Sequence, residues 1–291
     1  MKSPDATSQV FEAQRPRLLR LAYRMLGSLA EAEDVVQDAW LRWSRVELSV
    51  DQPAAYLTRI VTRLCLDQMR SARARHETYV GAWLPDPLVG TTEDEDQADD
   101  ITLTLMLALE RLSPLERAAF LLHDVFGMPL GDVAGTLDRD AAAVRQLASR
   151  ARRHVQEAKP RYTVEQADAE RITRAFFDAA RDGDVAGLRS MLAEDVVLMS
   201  DGGGKVLAFH NPIRGLAKML RLFAGLARKH AYRPELLRLA TIDGLPGYVS
   251  IDRGQLLQTT ALDIRDGRIV GIYITRNPDK LSHVAALVGK E

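Results

Sequence analysis

Apolar positions in the first half of the chain recur every three to four residues, the period of a helix with one buried face. Leu18, Leu19, Ala22, Met25 and Leu26 form such a stripe before Gly27. Ser28 and Glu31 have the spacing of a capping box, and Val35, Val36, Ala39, Trp40 and Trp43 make the apolar side of the helix it opens. A third helix starts at Pro53, a favoured first-turn residue, with Ala54, Leu57, Ile60, Val61, Leu64 and Met69 on one side. Gly81, Pro85, Pro87 and Gly90, followed by a run of acids, predict a linker over 81–97. Helical spacing resumes over 98–158, where Ser113, Pro114 and Glu116 supply a cap, a first-turn proline and a capping-box acid. Val133, Ala134, Leu137, Val144 and Leu147 then fit a helix, a tight turn and a second helix, capped by Asp138 or Asp140.

Beyond Pro160 the pattern changes. A helix over 165–181 and a GLRSML turn precede the strand-like segments DVVLMSD and KVLAFH, and another helix follows at about 214–229. ELLRLATI, YVSI, QLLQTTALDI and RIVGIYIT, separated by DG or RG dipeptides, predict an antiparallel meander. The expected fold class is multidomain: two all-α helical domains followed by an α+β domain. The expected boundaries are 8–80, a linker at 81–97, 98–159 and 165–287.

Composition supports a globular chain of more than one domain, with 291 residues, 46% hydrophobic and 27% charged. No apolar run approaches the roughly 18 residues of a membrane span, and the opening residues lack a signal-peptide core, so the expected location is cytoplasmic. Cys65 is the single cysteine, which excludes an internal disulfide and cysteine-based zinc sites; in mid-helix it reads as a small buried apolar group. No cofactor and no metal site is read from the sequence.

Net charge is only −1, yet charge is unevenly placed. Arg59, Arg63, Arg70, Arg73 and Arg75 face Asp67 alone over 59–75, a local +4, and 139–159 carries another +4. Between them Glu93, Asp94, Glu95, Asp96, Asp99 and Asp100 give −6 with no base. The outward positions of the second helix of the 130–155 pair, Arg145, Gln146, Ser149, Arg150 and Arg153, can all donate hydrogen bonds to base edges or phosphates, with Arg139 just ahead of them. Taken singly, that pair also fits an αα-hairpin with a solvated basic face, and the acidic run also fits a plain spacer.

SLAEAEDVVQDAWLRW, PAAYLTRIVTRLCLDQMRSARAR and SPLERAAFLLHDVFGMPLGDVAGTLDRDAAAVRQLASRARRHV together resemble the extracytoplasmic-function sigma factors of bacterial RNA polymerase. The resemblance implies that Asp34, Val35, Gln37, Asp38 and Trp40 bind core RNA polymerase. It implies that Tyr56, Arg59, Arg63, Arg70, Arg73 and Arg75 hold promoter DNA at the −10 element, Tyr56 fitting either a stacking platform or a core position. Arg139, Arg145, Gln146, Ser149, Arg150 and Arg153 would read the −35 element. Residues 165–285 resemble SnoaL-like domains, and sigma factors carrying this extension form a subgroup. Asp201, Gly202, Gly203, Gly204 and Lys205 (DGGGK) and Asn277, Pro278, Asp279, Lys280 and Leu281 (NPDKL) match its two motifs. They imply a regulatory, intramolecular contact with the two helical domains, Lys205 reaching an acid there. No catalytic residue is assigned, although such domains also host enzymes and Asp201, His210 and Asp263 are the candidates one would test. The alternative is a helix-turn-helix regulator whose last domain senses a small molecule.

Overall fold

The structure is a computed structural model and describes residues 4–46, 50–76, 79–90, 102–156, 166–229, 233–252 and 255–288; the side chains of 4–6, 71–76 and 166 are outside that description. The chain divides into two compact units, residues 1–77 with 106–158, and 78–105 with 159–291.

In the first unit, Pro4–Leu26 (α1), Leu29–Trp43 (α2) and Pro53–His76 (α3) pack on one another through the expected stripes. Val35, Val36, Ala39 and Trp43 are buried from α2, and Leu57, Val61 and Cys65 from α3. Burial pushes the Cys65 thiol well above its ordinary pKa, so it stays a thiol. Leu103–Leu109 (α4) enters this unit at Met106, and Pro114–Phe120 (α5) runs on into a wider π-type turn, Leu121–Val125. Ser113 and Glu116 close a full capping box at the start of α5. Leu130–Leu137 (α6) and Ala141–Gln156 (α7) are joined by a tight turn in which Asp138 takes the left-handed conformation, φ 53°. Of the two candidate caps it is Asp140 whose carboxylate accepts from a helix N–H, that of Ala143 at 2.7 Å. Both α5 and α6 pack against α3, so the two helical segments share one unit.

The second unit is an α+β fold around a seven-stranded mixed sheet in the order β1-β4-β5-β6-β7-β2-β3. Its elements are Val89–Gly90 (β1), Gln166–Asp182 (α8), Val185–Met191 (α9), Leu192–Asp201 (β2), Ile213–Arg214 (β3), Leu216–Ala227 (α10), Glu235–Ile242 (β4), Leu245–Asp252 (β5), Leu256–Arg265 (β6), Arg268–Thr275 (β7) and Ser282–Val288 (α11). β4 to β7 form the expected meander, and β2 runs parallel to β7. The Asp243-Gly244 and Asp266-Gly267 turns have positive φ at both residues, the geometry that lets a two-residue turn follow the strand twist. Phe176, Leu188, Leu192, Met219 and Leu262 fill the space between α8, α9, α10 and one sheet face. Leu281 and Val284 cover Val249 on the other.

Three local expectations change. GLRSML is the body of α9, because the Asp184 carboxylate accepts from the Ala186 and Gly187 N–H groups and starts a helix. KVLAFH is not a strand: Lys205 and Val206 donate back to the Gly202 carbonyl, turning the chain away, and only Ile213–Arg214 pairs with β2. Residues 81–90, read as part of a linker, are packed into the second unit. Leu84, Pro85 and Pro87 are buried and Val89–Gly90 is the outermost strand, paired with Ile242 and Thr241. The acidic run 93–100 lies outside the described residues.

Candidate functional site

The turn between α6 and α7 is short because Asp138 accepts a conformation few residues tolerate, and Asp140 then restarts the helix at once. Val144, Leu147, Ala148 and Ala151 are buried, which fixes the opposite face outward. Arg145, Gln146, Ser149 and Arg153 are exposed on that face, and Arg139 is exposed in the turn, donating to the Asp138 carbonyl. Arg150 is half exposed and paired to Glu116 at 3.3 Å. On α3, Tyr56, Arg59, Arg63 and Arg70 are exposed, Tyr56 lying 6.0 Å from the Trp43 ring between centroids. Arg70 pairs with Asp67 on its own helix. Arg59 reaches α6, its guanidinium 3.0 Å from where a Cβ on Gly135 would stand. The side chains of Arg73 and Arg75 lie outside those described. On α2, Asp34, Gln37 and Asp38 are exposed and Trp40 packs on Phe11 with centroids 5.1 Å apart. Val35 differs from its expected surface role: it sits on the apolar stripe, 5% exposed, so its side chain faces the interior.

A buried cation that the sequence pattern does not single out joins the helical segments. Arg117 on α5 is 4% exposed and donates to the Leu109 carbonyl at 3.0 Å, the Met25 carbonyl at 2.7 Å and Glu110 at 2.7 Å. Nearby, Arg17 and Arg24 of α1 lie over the Phe126 ring, and burial lowers the Arg17 pKa. The guanidinium fork meets acceptors on two segments at once, the end of α1 and the end of α4, which a single ammonium cannot match.

In the second unit, DGGGK and NPDKL come together around Asp201. The Tyr79 hydroxyl donates to one Asp201 oxygen at 2.6 Å and the Leu84 N–H to the other at 2.9 Å. Lys280 donates to Asp201 at 3.0 Å and to the Leu84 carbonyl, with Trp83 stacked 4.3 Å from its ammonium. Asn277 donates to the Tyr79 oxygen. Burial, then the bond to Asp201, raise the Tyr79 pKa, so the phenol remains a donor. Gly203 is required: its φ is 61° and a Cβ would fall 2.4 Å from the Asn277 amide. Gly202 likewise lies against the Val206 carbonyl, and Gly204 against Val80. Pro278 opens the short 3₁₀ turn that presents Lys280, and Leu281 is buried behind it. Lys205, expected to reach an acid on the helical domains, instead pairs with Asp279 of the second motif at 2.5 Å.

The three residues considered for catalysis do not converge. Asp201 is held as described, Asp263 is bound twice by Arg265, and His210 is exposed. Tyr79, Trp83, Leu84 and Arg117 were missed in the sequence. The signal available for Trp83 and Leu84 was the apolar density of AWLPDPLV, unusual for a solvated spacer.

Residues 10–75 match the family profile Sigma-70 region 2, and residues 102–155 match Sigma-70, region 4. The ECF RNA polymerase sigma factor SigJ of Mycobacterium tuberculosis is 38% identical over 94% of this chain and 92% of its own. The probable ECF RNA polymerase sigma factor SigI of the same species is 32% identical over 99% of both chains. The crystal structure of Mycobacterium tuberculosis SigJ matches with a TM-score of 0.75 at 34% identity, covering 94% of this chain and 97% of that one. The chain belongs to the ECF RNA polymerase sigma factors. Among the described residues, no helix is long and apolar enough to cross a membrane.

Proposed function

We propose that this sigma factor binds core RNA polymerase through the exposed acid-rich face of α2, Asp34, Gln37 and Asp38, with Trp40 beside it. It holds the opened −10 element on the α3 face, through Arg59, Arg63, Arg70, Arg73 and Arg75 with Tyr56, and reads the −35 element with α7. The observation that carries this reading is the α6–α7 pair, whose Arg145, Gln146, Ser149 and Arg153 form one exposed donor face behind a tight turn. The working division of labour is 8–80 for polymerase and −10 contacts, 98–159 for the −35 element and 165–287 for regulation. Residues 79–90 act with the last of these, because Asp201 and Lys280 hold them. Regulation acts through that grip, which sets how the segment after α3 is presented. The role is not enzymatic, and its setting is the cytoplasm, where the polymerase works.

The test pairs this protein with core polymerase on its cognate promoter. Arg145→Ala should weaken promoter binding by about 1–3 kcal/mol and lose discrimination against a scrambled −35 sequence, as expected for a base-edge contact. Equal weakening on both sequences would reduce Arg145 to a phosphate contact and remove α7 as the reader.

A further inference from the structure

A third block of positive charge lies outside the two helical blocks. From Gly202 to Pro234 the chain carries Lys205, Arg214, Lys218, Arg221, Arg228, Lys229 and Arg233 and not one acid. Most of these gather along α10 and its two ends. Leu216, Met219, Leu220 and Phe223 are buried against the sheet, so Lys218 and Arg221 project outward, and Arg228 and Lys229 continue the line past the helix end. α9 adds Arg189 alongside. Among the described residues, none of Arg189, Lys218, Arg221, Arg228 and Lys229 forms an ion pair; Arg228 donates only to the Ala224 carbonyl of its own helix.

Between these cations runs an open trough of about 400 Å³, floored by Ala217, Leu220 and Ala224 and walled by Arg189, Arg221 and Arg228. Short floor residues let a backbone lie close while long cations reach around it. From Lys218 to Lys229 the helical rise covers roughly 16 Å. That length of duplex carries about ten phosphates, so the spacing suits a polyanion better than a single small anion. The described residues on either side of the acidic run are Gly90 on β1 and Leu103, whose N–H bonds the Asp243 carbonyl just past β4. Both anchors are on the edge of the sheet opposite β2 and β3, over which α10 lies.

We propose that the α9–α10 trough is a third DNA-binding face, gripping the phosphate backbone of duplex DNA without reading sequence. The proposal rests on the promoter-binding reading for its choice of polyanion, and adds an interaction supplied by the fused unit. It is tested with the full chain and a labelled duplex of scrambled sequence, by fluorescence anisotropy between about 50 and 200 mM salt. Combined Lys218→Ala, Arg221→Ala and Arg228→Ala should lower the slope of log K against log salt by roughly 2–3, at about 0.9 for each phosphate no longer neutralised. Affinity at the low-salt end should fall about tenfold or more. Should the triple variant melt earlier than the parent, the single exposed change Arg221→Glu gives the same reading with less risk to the fold. An unchanged slope, or no binding by the parent at low salt, overturns the proposal. If Arg145→Ala abolishes −35 discrimination while the triple variant leaves the slope intact, the promoter reading stands and this one fails. Weakened capture of core polymerase with an unchanged slope would assign the trough to an acidic protein surface, which also overturns it.

Discussion

Arg117 and Lys280 are buried cations in different units, and each fastens segments far apart in the chain. Arg117 meets two carbonyls and Glu110, and Lys280 meets one carbonyl and Asp201. Their acids differ. The Asp201 side chain is wholly buried, whereas Glu110 retains 22% of its side-chain exposure. A buried carboxylate that loses its cation has no water to turn to, while a partly exposed one does. The second unit therefore depends on its cation for electrostatic neutrality, and the first depends on its cation mainly for hydrogen-bond geometry.

The largest effect is expected where that neutrality is broken. Lys280→Ala leaves the Asp201 carboxylate buried with the Tyr79 phenol and the N–H groups of Leu84 and Gly203, but without the Lys280 charge. It should destabilise the second unit by about 3–5 kcal/mol in urea denaturation. Adding Asp201→Asn to Lys280→Met should recover much of that stability; if the double variant is no better, packing against Trp83 rather than charge was responsible. Arg117→Ala should cost less, about 2–3 kcal/mol, because it orphans carbonyls of Leu109 and Met25 while Glu110 can rehydrate. Arg117→Lys should restore little of it, since one ammonium cannot reproduce the fork. Full rescue by lysine would show that charge, and not geometry, holds the two helical segments together.

The helices were legible because their stripes are long and their caps explicit: Ser113 with Glu116, Pro53, and the Asp138–Asp140 turn each announce a boundary. The meander was legible from its DG turns. The interactions that shape the two units were not. Asp201, Lys280 and Leu84 are distant in sequence, and no local pattern says that a Trp-Leu-Pro segment will serve as a lid for one motif and an edge strand beyond it. Arg117 hides inside a capping-box helix, where its neighbours predict a solvated side chain. KVLAFH misled for the opposite reason: its apolar run is real, but the preceding glycines turn it away from any partner strand, leaving Leu207 exposed. Among the site residues, Val35 shows the cost of carrying a role over by position: a matched residue on an apolar stripe belongs to the core.

The smallest predicted effect concerns a partly buried carboxylate at the start of α5. Burial alone would raise the Glu116 pKa, but bonds from the Ser113 hydroxyl and N–H, with Arg150 opposite, outweigh it and hold the group below its ordinary value. A depressed folded pKa contributes stability at pH values above the unfolded pKa, near about 4.3, and the contribution fades as pH falls through the folded value. Ser113→Ala should therefore cost about 1 kcal/mol at neutral pH, and the gap from the parent should narrow in acid as Glu116 becomes neutral in both. It should not close, because the serine oxygen also accepts from the Glu116 N–H, a bond indifferent to protonation. Denaturation of parent and variant at neutral and acidic pH reads this directly. A gap that stays constant would mean the capping box acts through its neutral bonds alone.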